Sequence, residues 1–178
     1  PEARAVARLA PLALVDAILA KRNLGTRMDM APVVVGLGPG FAAGRDVHAV
    51  VETSRGHDLG RVLLSGSAAP DTGVPGIIAG EGRSRVLHAP AAGVVSALAA
   101  IGDVVEAGAP VLAVGGAFVR AAIGGVVRGL IRPGLEVAAE TKVADVDPRG
   151  ARESCFTVSD KSRAVAGGVL EAILSLAP

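Results

Sequence analysis

The chain has 178 residues and a formal net charge of +1, and 51% of its residues are hydrophobic although only 2% are aromatic. That length serves one ordinary domain or two small ones, and the core must come from Val, Ala, Leu and Ile, since Trp and Tyr are absent and Phe occurs only as Phe41, Phe118 and Phe156. Without aromatic stacking platforms or a clustered basic stripe, neither single-stranded nor duplex nucleic acid is an expected partner.

Residues Glu2 to Ala10 are predicted as a short helix with mixed faces. The chain opens at Pro1 without an initiating methionine and with mid-helix character, so an N-terminal part is expected ahead of it. Ala13–Leu19 (ALVDAIL) reads as a buried strand, and the polar loop AKRNLGT follows it. A helix and then a buried strand is a fragment of α/β architecture.

The stretch VVVGLGPGFAAG (Val33–Gly44) places four glycines in nine positions after three β-branched residues. Gly38, Gly40 and Ala43 match the letters of the dinucleotide fingerprint G-x-G-x-x-G/A, but the context does not. Pro39 removes a backbone donor, and the next segment, RDVHAVVET (Arg45–Thr53), has a strand pattern where the fingerprint needs a helix. Asp58 lies at about the distance of a ribose-binding acid, yet it sits in the turn SRGHDLG. The loop is therefore not a Rossmann fingerprint. Two readings stay open. It is an anion nest of successive backbone N–H groups, with Arg22, Arg27 and Arg45 close in sequence, or a sharp turn whose glycines serve positive φ and close packing. The strand Arg61–Gly66 and the Pro/Gly loop Ala68–Gly76 complete a β-rich first half.

The second half contains a repeat. Gly93–Val114 aligns with Gly125–Val146 at a constant offset of 32, and nine of 22 positions are identical. Each copy reads strand, turn, strand, and Gly102 and Gly134 fall where a turn needs φ > 0. Two such units, each unable to bury its own apolar face, are expected to pack as a two-fold sandwich. The chain ends in a predicted helix with Ser159 as N-cap, Asp160 in the first turn, and Val165, Val169, Ile173 and Leu176 on one face.

The polar residues offer few catalytic constellations. Cys155 is the single cysteine, which excludes an internal disulfide and any multi-cysteine cluster and points to a reducing compartment. His48 and His57, with Asp46, Glu52 and Asp58, are the residues that a His/carboxylate metal site would use, but the two histidines flank a turn without compact ligand spacing, so no metal site is expected. His88 is read as structural. The helix start Ser159–Asp160–Lys161, with Arg163 nearby, reads as an ordinary capped terminus or as an anion site. No nucleophile elbow or Ser/His/Asp order is present. No uncharged apolar run reaches the roughly 18 residues of a membrane span, and no signal peptide is recognised at the front, so a cytoplasmic location is expected.

The framed repeat HAPAAGVV…IGDVVEAGAPVLAV…AAIGGVVRGLI resembles the biotinyl/lipoyl domain, a barrel-sandwich hybrid. That family acts through a lysine at a hairpin tip. The corresponding stretch Gly115–Gly125 has none, and the guanidinium of Arg120 cannot be acylated as an amine is. The resemblance implies the scaffold without the swinging arm.

More of the chain, from about Val15 to Leu176, resembles the YqeB family of selenium-dependent molybdenum hydroxylase maturation proteins. The motifs DAILAKRN, VGLGPGF, DVHAVVET, PDTGVPG, GGVVRGLI and SDKSRAVAGGVLEAIL carry it in this order. The resemblance implies a dinucleotide-binding-like region ahead of this part and a role in molybdenum hydroxylase maturation or molybdenum cofactor handling.

The expected fold is α+β and β-dominated. A partial α/β, Rossmann-like remnant (1–86) joins a barrel-sandwich hybrid (87–147) and a C-terminal loop and helix (148–178). An anionic cofactor, the molybdenum cofactor or a nucleotide, is expected near Lys21, Arg22, Asn23, Gly38, Gly40, Gly44, Arg55 and His57. The expected partners are a client hydroxylase or other proteins of the cofactor pathway, and homo-oligomerisation is left open. The alternative is a cofactor-modifying enzyme of nucleotidyl- or selenium/sulfur-transfer type, for which Cys155 and His57 are the catalytic candidates.

Overall fold

A computed structural model describes residues 4–177. The chain is β-dominated with a C-terminal helix and three open four-stranded sheets, an α+β protein. It divides into two units. The first joins the segment ending at Thr72 to the segment beginning at Val158, and the second runs Gly73–Thr157. The sequence reading draws its boundaries at 86/87 and 147/148. In the structure Arg85 is tied to Asp145 by a 2.7 Å ion pair within the second unit, and the C-terminal helix packs on the sheet of the first.

In the first unit, α1 (Arg4–Leu9) precedes β1 (Ala13–Asp16), β2 (Val33–Leu37), β3 (Ala49–Val51) and β4 (Val62–Leu63). The expected helix start at Glu2 lies outside the described residues. The sheet order is β1-β2-β3-β4, with β1, β2 and β3 parallel and β4 antiparallel. Every residue of β2 is buried, as a parallel sheet covered on both faces requires.

The cover differs between the two faces. On one, the helix α2 (Asp160–Leu176), the last of the chain, packs Val165, Val169, Ala172, Ile173 and Leu176 against Val33, Val35, Leu37, Ala49 and Val51. On the other, the glycine loop folds back and seats Phe41, Ala43 and Val47 against Val34 and Val50. A loop thus takes the place of the crossover helix usual between parallel strands.

Three strands are shorter than their apolar patterns. β1 stops at Asp16 because that carboxylate turns the chain, accepting from the N–H of Ile18 at 3.0 Å and the hydroxyl of Thr26 at 2.6 Å. β3 starts only at Ala49, since Asp46 closes the preceding loop by accepting from the N–H of Ala42 at 2.9 Å. β4 keeps Val62 and Leu63 of the expected Arg61–Gly66. The helix α2 begins as expected, with the Ser159 hydroxyl accepting from the N–H of Ser162 at 3.1 Å.

The second unit holds β5 (Val86–His88), β6 (Gly93–Ala97), β7 (Val104–Val105), β8 (Pro110–Val114), β9 (Ala117–Arg120), β10 (Gly125–Leu130), β11 (Glu136–Val137) and β12 (Lys142–Asp147). They form two sheets, β5-β12-β10-β7 and β11-β6-β8-β9. The 32-residue offset maps one sheet onto the other. Val95 pairs Val114 as Val127 pairs Val146, and Gly125 pairs Val105 as Gly93 pairs Val137. The bulge between Pro110 and Leu112 recurs between Lys142 and Ala144.

Each copy therefore lends its short middle strand to the other copy's sheet, and neither sheet is complete alone. The correspondence extends upstream of the region recognised in the sequence. Outer strands β5 and β9 are equivalent, and Ala89 and Ala121 behind them are both buried. Gly102 and Gly134 adopt φ +95° and +84°, as their turns require.

Asp147 is almost fully buried at the end of β12. It accepts from Arg128 and Arg149 at 2.7 Å each, and from the backbone N–H of Arg149 at 3.1 Å. The Arg149 hydrogen bond, above all, holds its carboxyl well below the usual carboxylate range despite burial. Its folded-state pKa is depressed, so its stabilisation is complete above the unfolded value near 4 and fades as pH falls below it. Asp147→Asn is expected to cost about 3 kcal/mol at pH 7. The gap between the two proteins should narrow in denaturant titrations as pH drops below about 4.

Two adjacent glycines of α2 offer a sharper test of packing. A Cβ at Gly168 would overlap the Gly60 carbonyl and come within 2.9 Å of the Val51 side chain, whereas one at Gly167 would meet nothing. Gly168→Ala is expected to lower stability by about 1–3 kcal/mol. Gly167→Ala should raise it by up to about 1 kcal/mol through helix propensity. Urea midpoints of the two variants should move in opposite directions.

Candidate functional site

The sheet and α2 together shape a cavity of about 390 Å³ at the carboxyl ends of β2 and β3, where open parallel sheets place their ligands. Leu37, the last residue of β2, and Thr53, just beyond β3, form one wall. The first turns of α2 supply Lys161, Ser162, Val165, Ala166 and Val169, and the loop after β1 supplies Leu19 and Lys21. The walls are mostly aliphatic and the mouth is cationic.

Glu52 builds the strand-end wall. Its buried carboxylate accepts from the N–H groups of Thr53 at 2.7 Å, Ser54 at 2.6 Å and Ala69 at 2.7 Å, which bends the chain directly after β3. Thr53 is consequently only 8% exposed, and its hydroxyl lies against Gly38 at the cavity wall.

Neither Lys21 nor Lys161 has a carboxylate partner among the described residues. Burial pushes the Lys161 ammonium down, and the charges of Arg55 and Lys21 push it further, against a smaller pull from Glu52. Three cations and one carboxylate thus share a neighbourhood. Arg55 is engaged, donating to Asp160 in the first turn of α2 at 2.9 Å.

The residues singled out in the sequence distribute as follows. Lys21 lines the cavity, with φ +62°. Arg22 presents its backbone to Gly40, where a Cβ would come within 2.6 Å of the Arg22 nitrogen. Asn23 closes a turn, accepting from Gly25 and Thr26 at 2.8 and 2.7 Å and donating to the Thr26 carbonyl at 2.8 Å. The N–H of Gly38 donates to Val51 and that of Gly44 to Val47, both at 2.8 Å, while the N–H of Ala43 goes to Gly66 at 2.7 Å. Those amides are occupied by the chain itself. Arg27 and Arg45 are paired with Asp29 and Asp46.

His57 is exposed in the turn after β3. His48 accepts from the N–H of Val34 through Nδ1 at 2.9 Å, which ties it to β2. Cys155 belongs to the second unit, its thiol against the Val127 carbonyl at 3.7 Å. Among the described residues no three His, Cys, Asp or Glu side chains gather as metal ligands, and no helix is long and apolar enough to cross a membrane. Sequence reasoning brought Lys21, Arg55 and Lys161 forward separately. It weighed Glu52 only as a metal-ligand candidate and missed Thr53; the signal for the pair is that two polar residues end a β-branched strand.

Fold and cavity together define the class: a two-unit, β-dominated α+β chain with a cation-rimmed cavity at the carboxyl ends of a short parallel sheet. The chain is 53% identical over 168 residues to the curated protein "Uncharacterized protein YqeB" of Escherichia coli (strain K12). This likeness covers 94% of the chain. The chain spans 31% of that relative's length. No family model matches. Among solved structures, an aspartoacylase family protein from Mesorhizobium loti is similar at 24% identity and a TM-score of 0.33. That likeness covers 35% of this chain and 22% of the other, and at that score it carries no argument.

Replacing Glu52 with Gln removes one of the acceptors that three backbone N–H groups share. The variant is expected to lose about 1–3 kcal/mol in urea denaturation. It should also weaken whatever the cavity binds, because the position of Thr53 depends on that carboxylate.

Proposed function

We propose that the chain is an accessory module in the maturation of molybdenum hydroxylases that holds an anionic cofactor or nucleotide in this cavity. The observation that carries the binding part is the convergence of Lys21 and Lys161, neither with a carboxylate partner among the described residues, with the Thr53 hydroxyl at the strand ends beside the first turn of α2. A cavity whose mouth holds two such cations favours an anionic ligand. The link to molybdenum hydroxylases rests on the resemblance of the linear motifs alone, and a client hydroxylase remains the proposed partner.

Within this reading, the three parallel strands and α2 of the first unit are a Rossmann-like remnant. The paired sheets of the second unit are a barrel-sandwich hybrid whose hairpin at Gly115–Gly116, lacking a lysine, serves as scaffold. The cofactor-modifying alternative has no comparable constellation behind it: His57 is exposed in the turn after β3, and the Cys155 thiol lies against the Val127 carbonyl.

The test is a thermal-shift titration of the chain against nucleotides, molybdopterin-type pterins, molybdate and inorganic phosphate. A true ligand at a hundredfold excess over its Kd should stabilise the first unit by about 2.7 kcal/mol. The shift should vanish in Lys161→Ala and persist in Arg27→Ala. A shift that survives Lys161→Ala would place the anion elsewhere and end this reading.

A further inference from the structure

The charges and walls of the cavity narrow the ligand's chemistry, given that the cavity is the ligand site. Four charged groups lie around its cationic mouth besides Lys161. Arg55 is neutralised by Asp160 at 2.9 Å, and the Glu52 carboxylate is held by three backbone amides. Lys21 and Lys161 are left as two ammonium groups without carboxylate partners among the described residues, although the Glu52 charge nearby offsets part of theirs. A single tetrahedral group with several charged oxygens can face both ammoniums. A carboxylate is less suited to bridging two of them, and a di- or triphosphate would bring more negative charge than the site offers.

The walls add a second constraint. Leu19, Leu37, Val165, Ala166 and Val169 make most of the surface, and only the hydroxyls of Thr53 and Ser162 accompany the lysines. A bare tetrahedral oxyanion would occupy a small part of about 390 Å³ and leave that aliphatic surface wet. A nucleobase would find no amide, carboxylate or aromatic side chain on the walls to read its edge or stack on its face.

We propose that the site selects a phosphomonoester carried on a compact body with an apolar face, the phosphate between Lys21, Lys161 and Thr53 and the body against Leu37, Val165 and Val169. A phosphomonoester carries about −1.5 to −2 charges at neutral pH, which gives each ammonium a charged oxygen to pair with.

Calorimetric titration of the whole chain with phenyl phosphate, inorganic phosphate and ADP tests this, using Lys161→Ala and Ala166→Leu. Ala166 is solvent-exposed on α2 at the cavity wall, so leucine there intrudes on the body's space without disturbing the core. Phenyl phosphate should bind about tenfold or more tighter than inorganic phosphate, from the apolar area removed from water. Ala166→Leu should erase that advantage and leave inorganic phosphate affinity unchanged, which also shows that the variant is folded. Lys161→Ala should abolish both.

Equal affinity for the two phosphates, with Ala166→Leu silent, would overturn the inference and leave a plain oxyanion site. ADP binding tighter than phenyl phosphate would overturn the charge match in favour of a nucleotide. Either result leaves the cavity as an anion site, whereas binding that does not depend on Lys161, or no binding at all, removes both the inference and the reading beneath it.

Discussion

The cavity depends on how closely α2 can approach the loop that ends at Gly60. The Gly60 carbonyl occupies the space that any side chain at Gly168 would need, and Gly60 itself has φ +85° and lies against the Ala164 carbonyl. Two glycines, one on each partner, allow this approach. It fixes the height of the helix over the sheet, while the stripe of Val165, Val169, Ala172 and Ile173 fixes its rotation. The cap at Ser159 then ends the helix one turn above the strand ends, so Lys161 and Ser162 come to the cavity mouth. A wider separation would spread the same side chains over an open surface.

The opposite face of the sheet explains why the glycine loop has the letters of a dinucleotide fingerprint without its backbone chemistry. A parallel sheet needs cover on both faces, and here the loop is the cover. Phe41 sits where a Cβ on Gly36 would be, at 2.6 Å from its ring carbons, and Gly40 admits the backbone of Lys21 and Arg22. The glycines serve packing, and through Gly40 that packing sets where Lys21 stands. The loop is therefore tied to the cavity by position, even though its amides at Gly38, Ala43 and Gly44 are spent within the chain.

The repeat was the most legible part of the fold because it is written in residues under backbone constraint. Gly93 and Gly125 match in the sequence because each faces a close backbone, that of Gly115 in one copy and of Asp147, 32 positions later, in the other. The outer strands escaped notice since Val86, Leu87 and His88 align with Phe118, Val119 and Arg120, and an outer strand constrains pattern more than identity. The N-cap of the C-terminal helix was readable from Ser159 and Asp160, as local hydrogen bonding usually is. Of the site, Lys21 and Arg55 were named for their charge. Thr53 and the wall-building role of Glu52 were not legible because they lie in contacts with Ala69 and the helix, which are distant in sequence. Strand lengths were overread wherever an aspartate, such as Asp16 or Asp46, turns the backbone before the apolar pattern ends.

The two units treat buried charge in opposite ways. In the second, Asp147 is enclosed with two arginines and a backbone N–H, and every interaction favours its charged form. Such a group organises the fold and asks for nothing further. In the first, burial and two neighbouring cations disfavour the charge on Lys161, and the smaller pull of the Glu52 carboxylate does not offset them. Because its folded-state pKa is lowered, the charged lysine costs stability at neutral pH, and that cost eases only as pH rises through the lowered value. An anion bound between Lys161 and Lys21 would cancel the repulsion and raise that pKa, so binding and protonation favour one another. The fold tolerates this electrostatic cost beside an aliphatic cavity, and perturbed ionisation there supports a site built around a ligand's charge.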